Sequence, residues 1–101
     1  MIARIWGGAT RKTDASAYVD YLRETGLREY CATPGNQGAW VLWRPMGERA
    51  EFITLSFWES RDAIRGFAGD EIERAVFYPE DDRFLDEREL TVEHYEVVAA
   101  R

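Results

Sequence analysis

The stretch EFITLSFWESRDAIRGFAG, residues 51–69, contains the clearest strand and the clearest helix start of the chain. Its first part is rich in β-branched and aromatic residues, which predicts a strand over residues 51–58. Ser60 is a good N-cap, and Asp62 adds negative charge to the first turn, where the helix dipole favours it. A short apolar stripe with helical spacing follows at Ala63, Ile64 and Phe67. The stretch therefore predicts a strand that leads directly into a helix.

The rest of the chain supplies the other elements of a small α+β fold. Periodicity, cap residues and turn residues predict a strand over 2–6, which Gly7 and Gly8 end, and a helix over 15–27, which Thr13 or Asp14 caps. Strands over 39–44 and 51–58 follow. The helix after Ser60 has a second short piece over 71–77, and the last element is a strand over 89–98. The two middle strands predict an antiparallel hairpin. The order β-α-β-β-α-β predicts a ferredoxin-like fold, with two helical segments on one face of a four-stranded antiparallel sheet.

The second face of such a sheet has no helices to cover it. Side-chain alternation divides the strand residues into two sets. One set, which includes Ile5 and Leu55, is almost wholly apolar, whereas the other mixes aromatic groups with Arg4, Thr54 and His94. Because either set would form a large exposed apolar patch on a monomer, we predict that two sheets stack face to face in a homodimer. Alternation alone leaves open which set lies beneath the helices.

Length and charge limit the class of protein. The 101 residues suffice for one domain, which we expect to span residues 1–101. There are 19 acidic and 13 basic residues, and a net charge of −6 argues against nucleic acid or an anionic membrane as partner. We find neither a secretory signal nor an apolar stretch near the ~20 residues of a membrane span. The lone Cys31 fits a reducing compartment, so we expect a cytoplasmic protein.

The residue inventory also bears on cofactors. One cysteine and one histidine exclude an internal disulfide, a thiolate cluster and a multi-histidine metal site. Glycine-rich phosphate-binding motifs are missing, so we expect no internal nucleotide or flavin site. The acidic run at residues 80–82 is interpreted as a solvated turn, because adjacent carboxylates on a loop rarely converge on one ion. We therefore expect no metal and no cofactor, and the expected partners are a second copy of the chain and a small-molecule ligand.

Two polar residues on the mixed strand face are candidates for chemistry. His94 is the only histidine, and an imidazole titrates near neutral pH. It is a candidate general base or axial haem ligand, or else a structural residue that hydrogen-bonds a neighbour such as Glu96. Arg4 is a candidate for holding a carboxylate or an enolate, or else for a salt bridge at the sheet edge.

The aromatic residues make up fourteen per cent of the chain, and each candidate among them has either a functional or a structural role. Trp58 at the end of its strand either stacks on a planar substrate or packs beneath the helix that follows. Tyr18, Tyr21 and Tyr30 either point their phenols into a cleft or belong to the core, as helical spacing favours.

The junction Trp58-Glu59-Ser60, followed by Ala63 and Phe67, resembles the antibiotic biosynthesis monooxygenase family, and the element order extends this resemblance over nearly the whole chain. The resemblance implies a dimeric α+β barrel with a cleft between sheet and helices in each subunit. Members of that family oxidise aromatic polyketides without metal or flavin, or degrade haem. Thr54 stands where the quinone-forming members carry Asn, and Phe67 and Val76 stand where the haem-degrading branch carries Trp and His.

These observations lead to one functional hypothesis and two alternatives. We expect a cofactor-independent monooxygenase-like protein that binds a small, flat aromatic or apolar molecule in a cleft between sheet and helices. The alternatives are a non-catalytic small-molecule-binding or stress-related dimer of the same fold, and a haem-binding or haem-degrading protein. His94 is assigned as the base and Arg4 as the group that binds the substrate anion. The substrate-binding residues are assigned as Trp6, Tyr21, Thr54, Trp58 and Phe67.

Overall fold

An antiparallel sheet forms the base of the molecule, and the helices cover one of its faces. The computed structural model describes residues 1–101. The strands are β1 (Ile2–Arg11), β2 (Asn36–Met46), β3 (Arg49–Trp58), β4 (Leu85–Arg88) and β5 (Glu93–Glu96). The helices are α1 (Ala15–Glu24), α2 (Gly26–Ala32), α3 (Arg61–Ala68) and α4 (Asp81–Phe84).

The sheet confirms the ferredoxin-like prediction, with one change in its last strand. The strand order is β2-β3-β1, and β4 and β5 both pair with the other edge of β1. β5 pairs with residues 2–5 and β4 with residues 8–10, so the strand predicted over 89–98 is shortened to residues 93–96 and an additional short strand, β4, precedes it. The chain leaves the edge between them because the Val92 amide donates to the Glu73 carbonyl and the Ala75 amide donates to the Leu90 carbonyl.

The segment between α3 and α4 is irregular, with a turn at residues 72–73 and a single bridge at Arg74, so the helical piece predicted over 71–77 is wrong. The carbonyls that a helix would use internally are taken by other groups. Arg4 donates to the carbonyls of Ile72 and Arg74, and Arg74 forms a bridge with Thr91. The helical turn comes later, over residues 81–84, where the sequence predicted only a polar turn.

Strand β1 continues through Gly7 and Gly8, so the predicted end of this strand is also wrong. A β-carbon placed on Gly8 would lie 2.6 Å from Cη2 of Trp6 and 3.1 Å from the Glu87 carbonyl oxygen. Glycine is therefore needed here for the close approach of the Trp6 ring, and it does not interrupt the strand pairing.

The helices cover the mixed set of strand residues, which settles the alternative left open by the sequence. Along β3 the helix-facing positions are all buried, and they are Ala50, Phe52, Thr54, Ser56 and Trp58. The core contains two clusters, one around Tyr18, Phe52 and Phe84 and the other around Tyr30, Trp58 and Ile64. The opposite, open face of the sheet carries the apolar set and includes Trp40 and Leu42 of β2, which are 53% and 48% exposed.

The contact between Trp6 and Gly8 gives the first prediction. We expect Gly8→Ala to lower the free energy of unfolding by about 1–3 kcal/mol, because the added methyl group overlaps a buried ring. Urea denaturation measures this change. Gly7→Ala is the matched control, since a β-carbon at Gly7 meets nothing closer than 3.8 Å. Equal stability of the two variants would contradict the proposed role of the close approach.

Candidate functional site

A narrow cleft lies between the helix-covered face of the sheet and the elements above it. Its free space is about 460 Å³ including the mouth, and only about 30 Å³ of it is open to water molecules. The walls of the cleft therefore lie close together. Fourteen residues line it, and they are Arg4, Trp6, Tyr18, Leu22, Gly26, Leu27, Tyr30, Val41, Thr54, Val76, Phe77, Tyr78, Asp81 and Val92.

Arg4 places a buried positive charge in the wall of this cleft. The residue is 2% exposed, and its guanidinium donates to the Arg74 carbonyl at 3.1 Å and to the Ile72 carbonyl. None of the eight ion pairs of the molecule includes it. Burial lowers the pKa of Arg4, although an arginine stays protonated in proteins. Its guanidinium carbon also lies 5.8 Å from the centre of the Phe67 ring.

His94 lies directly beside Arg4. The residues are register partners on β5 and β1, and Nη1 of Arg4 is 3.0 Å from Nε2 of His94. Because a guanidinium only donates, Nε2 must accept, so the imidazole is neutral with its proton on Nδ1. Burial and the charge of Arg4 lower the pKa of His94. A neutral imidazole next to a cation is able to accept a proton from a substrate once Nε2 is released.

Tyr30 and Thr54 extend the polar surface next to Arg4. Both are buried, Tyr30 on α2 and Thr54 on β3 opposite Trp6. Burial raises the pKa of the Tyr30 phenol, while interactions with the Thr54 hydroxyl and with Arg4 act to lower it. These three residues therefore supply hydrogen-bonding groups to one region of the cleft.

A second polar region is formed by Asp81, Tyr78 and Tyr18. Asp81 is 4% exposed, and its Oδ2 accepts the Tyr78 backbone amide at 2.6 Å. Burial raises the pKa of the Asp81 carboxyl. The Tyr78 hydroxyl donates to Glu29 on α2 at 2.8 Å, which links the wall of the cleft to that helix. The interpretation of residues 80–82 as a solvated turn is thus wrong for Asp81.

The structure brings some of the assigned site residues together and separates others. Arg4, Trp6 and Thr54 line the cleft, and Trp6 is oriented by its indole N–H, which donates to the Glu89 carbonyl at 2.8 Å. His94 is in contact with Arg4. His94 itself is outside the lining. Also outside it are Trp58 and Phe67, which pack on each other and on Tyr30, and Tyr21, whose hydroxyl accepts the Glu80 amide.

The buried position of Trp58 agrees with the packing alternative. It is fully buried, and its indole N–H donates to the Ser56 hydroxyl at 2.9 Å. Sequence reasoning gave no role to Phe77, Tyr78 or Asp81, since it treated them as part of a helix and a turn. The only available signal was the density of aromatic residues next to a carboxylate.

Comparison with known proteins was informative at the level of three-dimensional structure. No family model and no curated protein matches the chain. A Bacillus cereus protein provisionally named as an antibiotic biosynthesis monooxygenase matches with a TM-score of 0.70 and 17% identity, over 100% of this chain and 94% of its own. A Nitrosomonas europaea protein with the same provisional name matches with a TM-score of 0.69 and 14% identity, over 98% and 100%.

A third solved structure is that of MhuD, a haem degrader from Mycobacterium tuberculosis, with two haems in its active site. It matches with a TM-score of 0.61 and 16% identity, over 100% of this chain and 99% of its own. The chain has the antibiotic biosynthesis monooxygenase fold. Identities this low show the fold alone, so the chemistry of the cleft must be argued from its own residues.

Two further features of the chain bear on metal binding and on membranes. No three His, Cys, Asp or Glu side chains come close enough together to hold a metal ion. None of the helices combines the length and the apolar character needed to cross a bilayer.

The pair of His94 and Arg4 predicts a pH dependence of stability. Because the pKa of His94 is lowered in the folded protein, the unfolded chain takes up a proton more readily below the ordinary pKa of about 6.5. The free energy of unfolding should therefore fall as the pH drops from about 6.5 to the lowered pKa. His94→Gln retains an acceptor for Arg4 but does not titrate, so urea denaturation should show a shallower slope in this window. An unchanged slope would contradict the assignment.

Proposed function

We propose that the protein binds a small, flat aromatic molecule through an acidic oxygen held by Arg4, and that it oxidises this molecule with O₂ without a cofactor. The observation that carries the proposal is the buried Arg4 guanidinium in the wall of a mainly apolar cleft, with no carboxylate partner. The charge of Glu73 acts on Arg4 without forming an ion pair, so the cost of burying the guanidinium is offset only in part, and an anionic ligand would offset more of it.

The guanidinium has donors left for such a ligand. Three hydrogen bonds engage it, to Ile72, Arg74 and His94, which is fewer than the N–H groups that an arginine carries. A hydrogen bond to a charged group contributes about 1.5–3 kcal/mol. An enolate, phenolate or carboxylate oxygen at this position would therefore bind about tenfold or more tightly than its neutral counterpart.

The lining of the cleft supports a flat aromatic ligand. Its lining is mostly apolar, with the rings of Trp6, Tyr30 and Phe77 among the wall residues. Aromatic ligands complement walls of this kind, because their rings pack edge-on or stacked against other rings. Aromatic walls also exclude water, which strengthens the attraction between Arg4 and an anion.

The same arrangement supports a reaction with O₂. For an anthrone-type substrate, loss of a proton from carbon gives an enolate, with His94 as the base and Arg4 holding the oxygen. The enolate transfers one electron to O₂, and the resulting radical pair combines to a carbon-bound peroxide. Protonation of the peroxide and loss of water give a quinone, so one anthrone and one O₂ yield one quinone and one water.

A haem ligand is less well supported by the geometry, although the MhuD structure contains haem. The free space of the cleft is small, about 460 Å³ including the mouth, whereas a haem needs room for a whole macrocycle. We therefore propose an organic substrate and not a haem.

The charge of Arg4 gives the test of this function. We expect wild-type protein to bind and oxidise anthrone, and Arg4→Met to lose about tenfold or more in affinity and most of the activity. Calorimetry measures the binding, and an oxygen electrode measures the turnover. Arg23→Met is the matched control, since Arg23 is an exposed arginine of α1 paired with Asp20.

Each outcome of that test has a distinct meaning. Binding that depends on Arg4 without oxygen uptake would identify the protein as a non-catalytic binding dimer. Equal affinity of Arg4→Met and wild type would contradict the proposed site.

The open sheet face supports a homodimer as the assembly. Trp40, Leu42 and Tyr95 lie on this face and are about half exposed, next to the half-buried Ile53 and Leu55. An apolar face of this extent is rarely exposed by monomers. A second copy, stacked on the same face, would bury both patches at once.

Light scattering tests the dimer. We expect the wild-type protein to have about twice the chain mass of 11.7 kDa, and Leu42→Glu to shift it toward the monomer because a charge would be buried at the interface. Leu90→Glu is the control, since Leu90 is 69% exposed and lies between β4 and β5, outside the paired strands. A wild-type monomer would overturn the stacked-sheet proposal.

A further inference from the structure

The cleft contains a buried carboxyl group that the proposed chemistry does not use. Asp81 is 4% exposed and belongs to the lining. Only its Oδ2 has a hydrogen-bond partner in the protein, the Tyr78 amide, and the carboxylate forms no ion pair. The second carboxyl oxygen has no hydrogen-bond partner in the protein, so it is free to accept a hydrogen bond from a molecule in the cleft.

Tyr18 presents a second unused polar group in the same cleft. The residue is 1% exposed, and its hydroxyl has no hydrogen-bond partner among the side-chain contacts of the protein. Its ring is held firmly by Phe52 and Phe84, at centroid distances of 4.9 and 5.5 Å. Burial, followed by the charge of Asp81, raises the pKa of the Tyr18 phenol, which agrees with the two groups lying close together.

These groups come from a different part of the cleft wall than Arg4. Arg4 lies on the sheet and packs toward Phe67 of the second core cluster, whereas Asp81 heads α4 beside Phe84 of the first. Arg4 and Asp81 do not pair with each other. Because the protein leaves no fully buried side-chain oxygen without a partner, both groups must open onto the cleft, where a ligand can reach them.

We propose that Asp81 and Tyr18 form a second polar subsite, which takes a hydroxyl or amino group of the ligand at a distance from the acidic oxygen held by Arg4. The ligand class is then a flat aromatic with an acidic oxygen in one part and a hydrogen-bond donor in another. The free oxygen of Asp81 accepts from this donor, and the Tyr18 hydroxyl bonds to the same group. The proposal rests on the proposed function, because it assumes that Arg4 binds the acidic oxygen.

Three matched carboxylates test the subsite by calorimetry. 2-Naphthoate has only the acidic group, 6-hydroxy-2-naphthoate adds a donor, and 6-methoxy-2-naphthoate adds an oxygen that cannot donate. We expect wild-type protein to bind the hydroxy compound about tenfold more tightly than the other two, as a bond to a charged acceptor provides. Similar affinities for all three would overturn the subsite.

Variants show which residues cause the preference for the hydroxy compound. In Asp81→Asn the amide oxygen still accepts the Tyr78 N–H, but the cleft now faces an NH₂ donor, so the preference for the hydroxy compound should disappear while 2-naphthoate binds as before. Tyr18→Phe keeps the packed ring and should reduce the preference in part. Asp82→Asn is the control, since the Asp82 side chain is 88% exposed. Retention of the full preference in both Asp81→Asn and Tyr18→Phe would overturn the proposal.

The same titrations separate this proposal from the proposed function. If 2-naphthoate binds in a manner that depends on Arg4 but the hydroxyl group adds nothing, only the Asp81 subsite fails. If none of the three compounds binds to the wild-type protein, the anion site at Arg4 fails and the subsite fails with it.

Discussion

The burial of Arg4 is the constraint on which the cleft depends. Its guanidinium lies beneath the helices, where a charge must find polar partners. It finds them in the carbonyls of Ile72 and Arg74, which are thereby fixed in an irregular segment above the sheet. That segment continues into Phe77 and Tyr78 and forms one wall of the cleft. One side chain of β1 thus determines both the position of the wall and the charge of the space beneath it.

This constraint explains which parts of the fold could be predicted from the sequence. The hairpin of β2 and β3 and the start of α3 at Ser60 depend on local signals, namely strand composition, a turn and a capping hydroxyl that accepts the Ala63 amide. The segment over residues 71–77 has an apolar spacing that fits a helix, but its carbonyls bond to an arginine about seventy residues earlier in the chain. No local pattern contains that information, so the helix prediction failed there.

The candidate site, like the fold, was predictable only where local sequence patterns determine it. Arg4, Trp6 and Thr54 share a sheet face because they alternate along their strands and are paired in register, and alternation is readable from sequence. Tyr30 reaches the cleft because the chain breaks between α1 and α2, and Asp81 reaches it because it follows the wall segment. The sequence predicted neither of these two features. Trp58 was the most conspicuous residue of the family resemblance, yet it lies in the core because β3 ends directly beneath α3.

The electrostatics of the cleft give the reason to connect it with a ligand. A buried arginine and a buried aspartate that face the same space would stabilise the fold most by pairing with each other, and here they do not pair. Each is held apart by backbone partners, the carbonyls of the wall segment for Arg4 and the Tyr78 amide for Asp81. Polar groups preorganised in this way sacrifice stability but require no rearrangement when a complementary molecule enters. A ligand that is anionic at one position and a donor at another would satisfy both groups simultaneously, and neither group alone would account for that specificity.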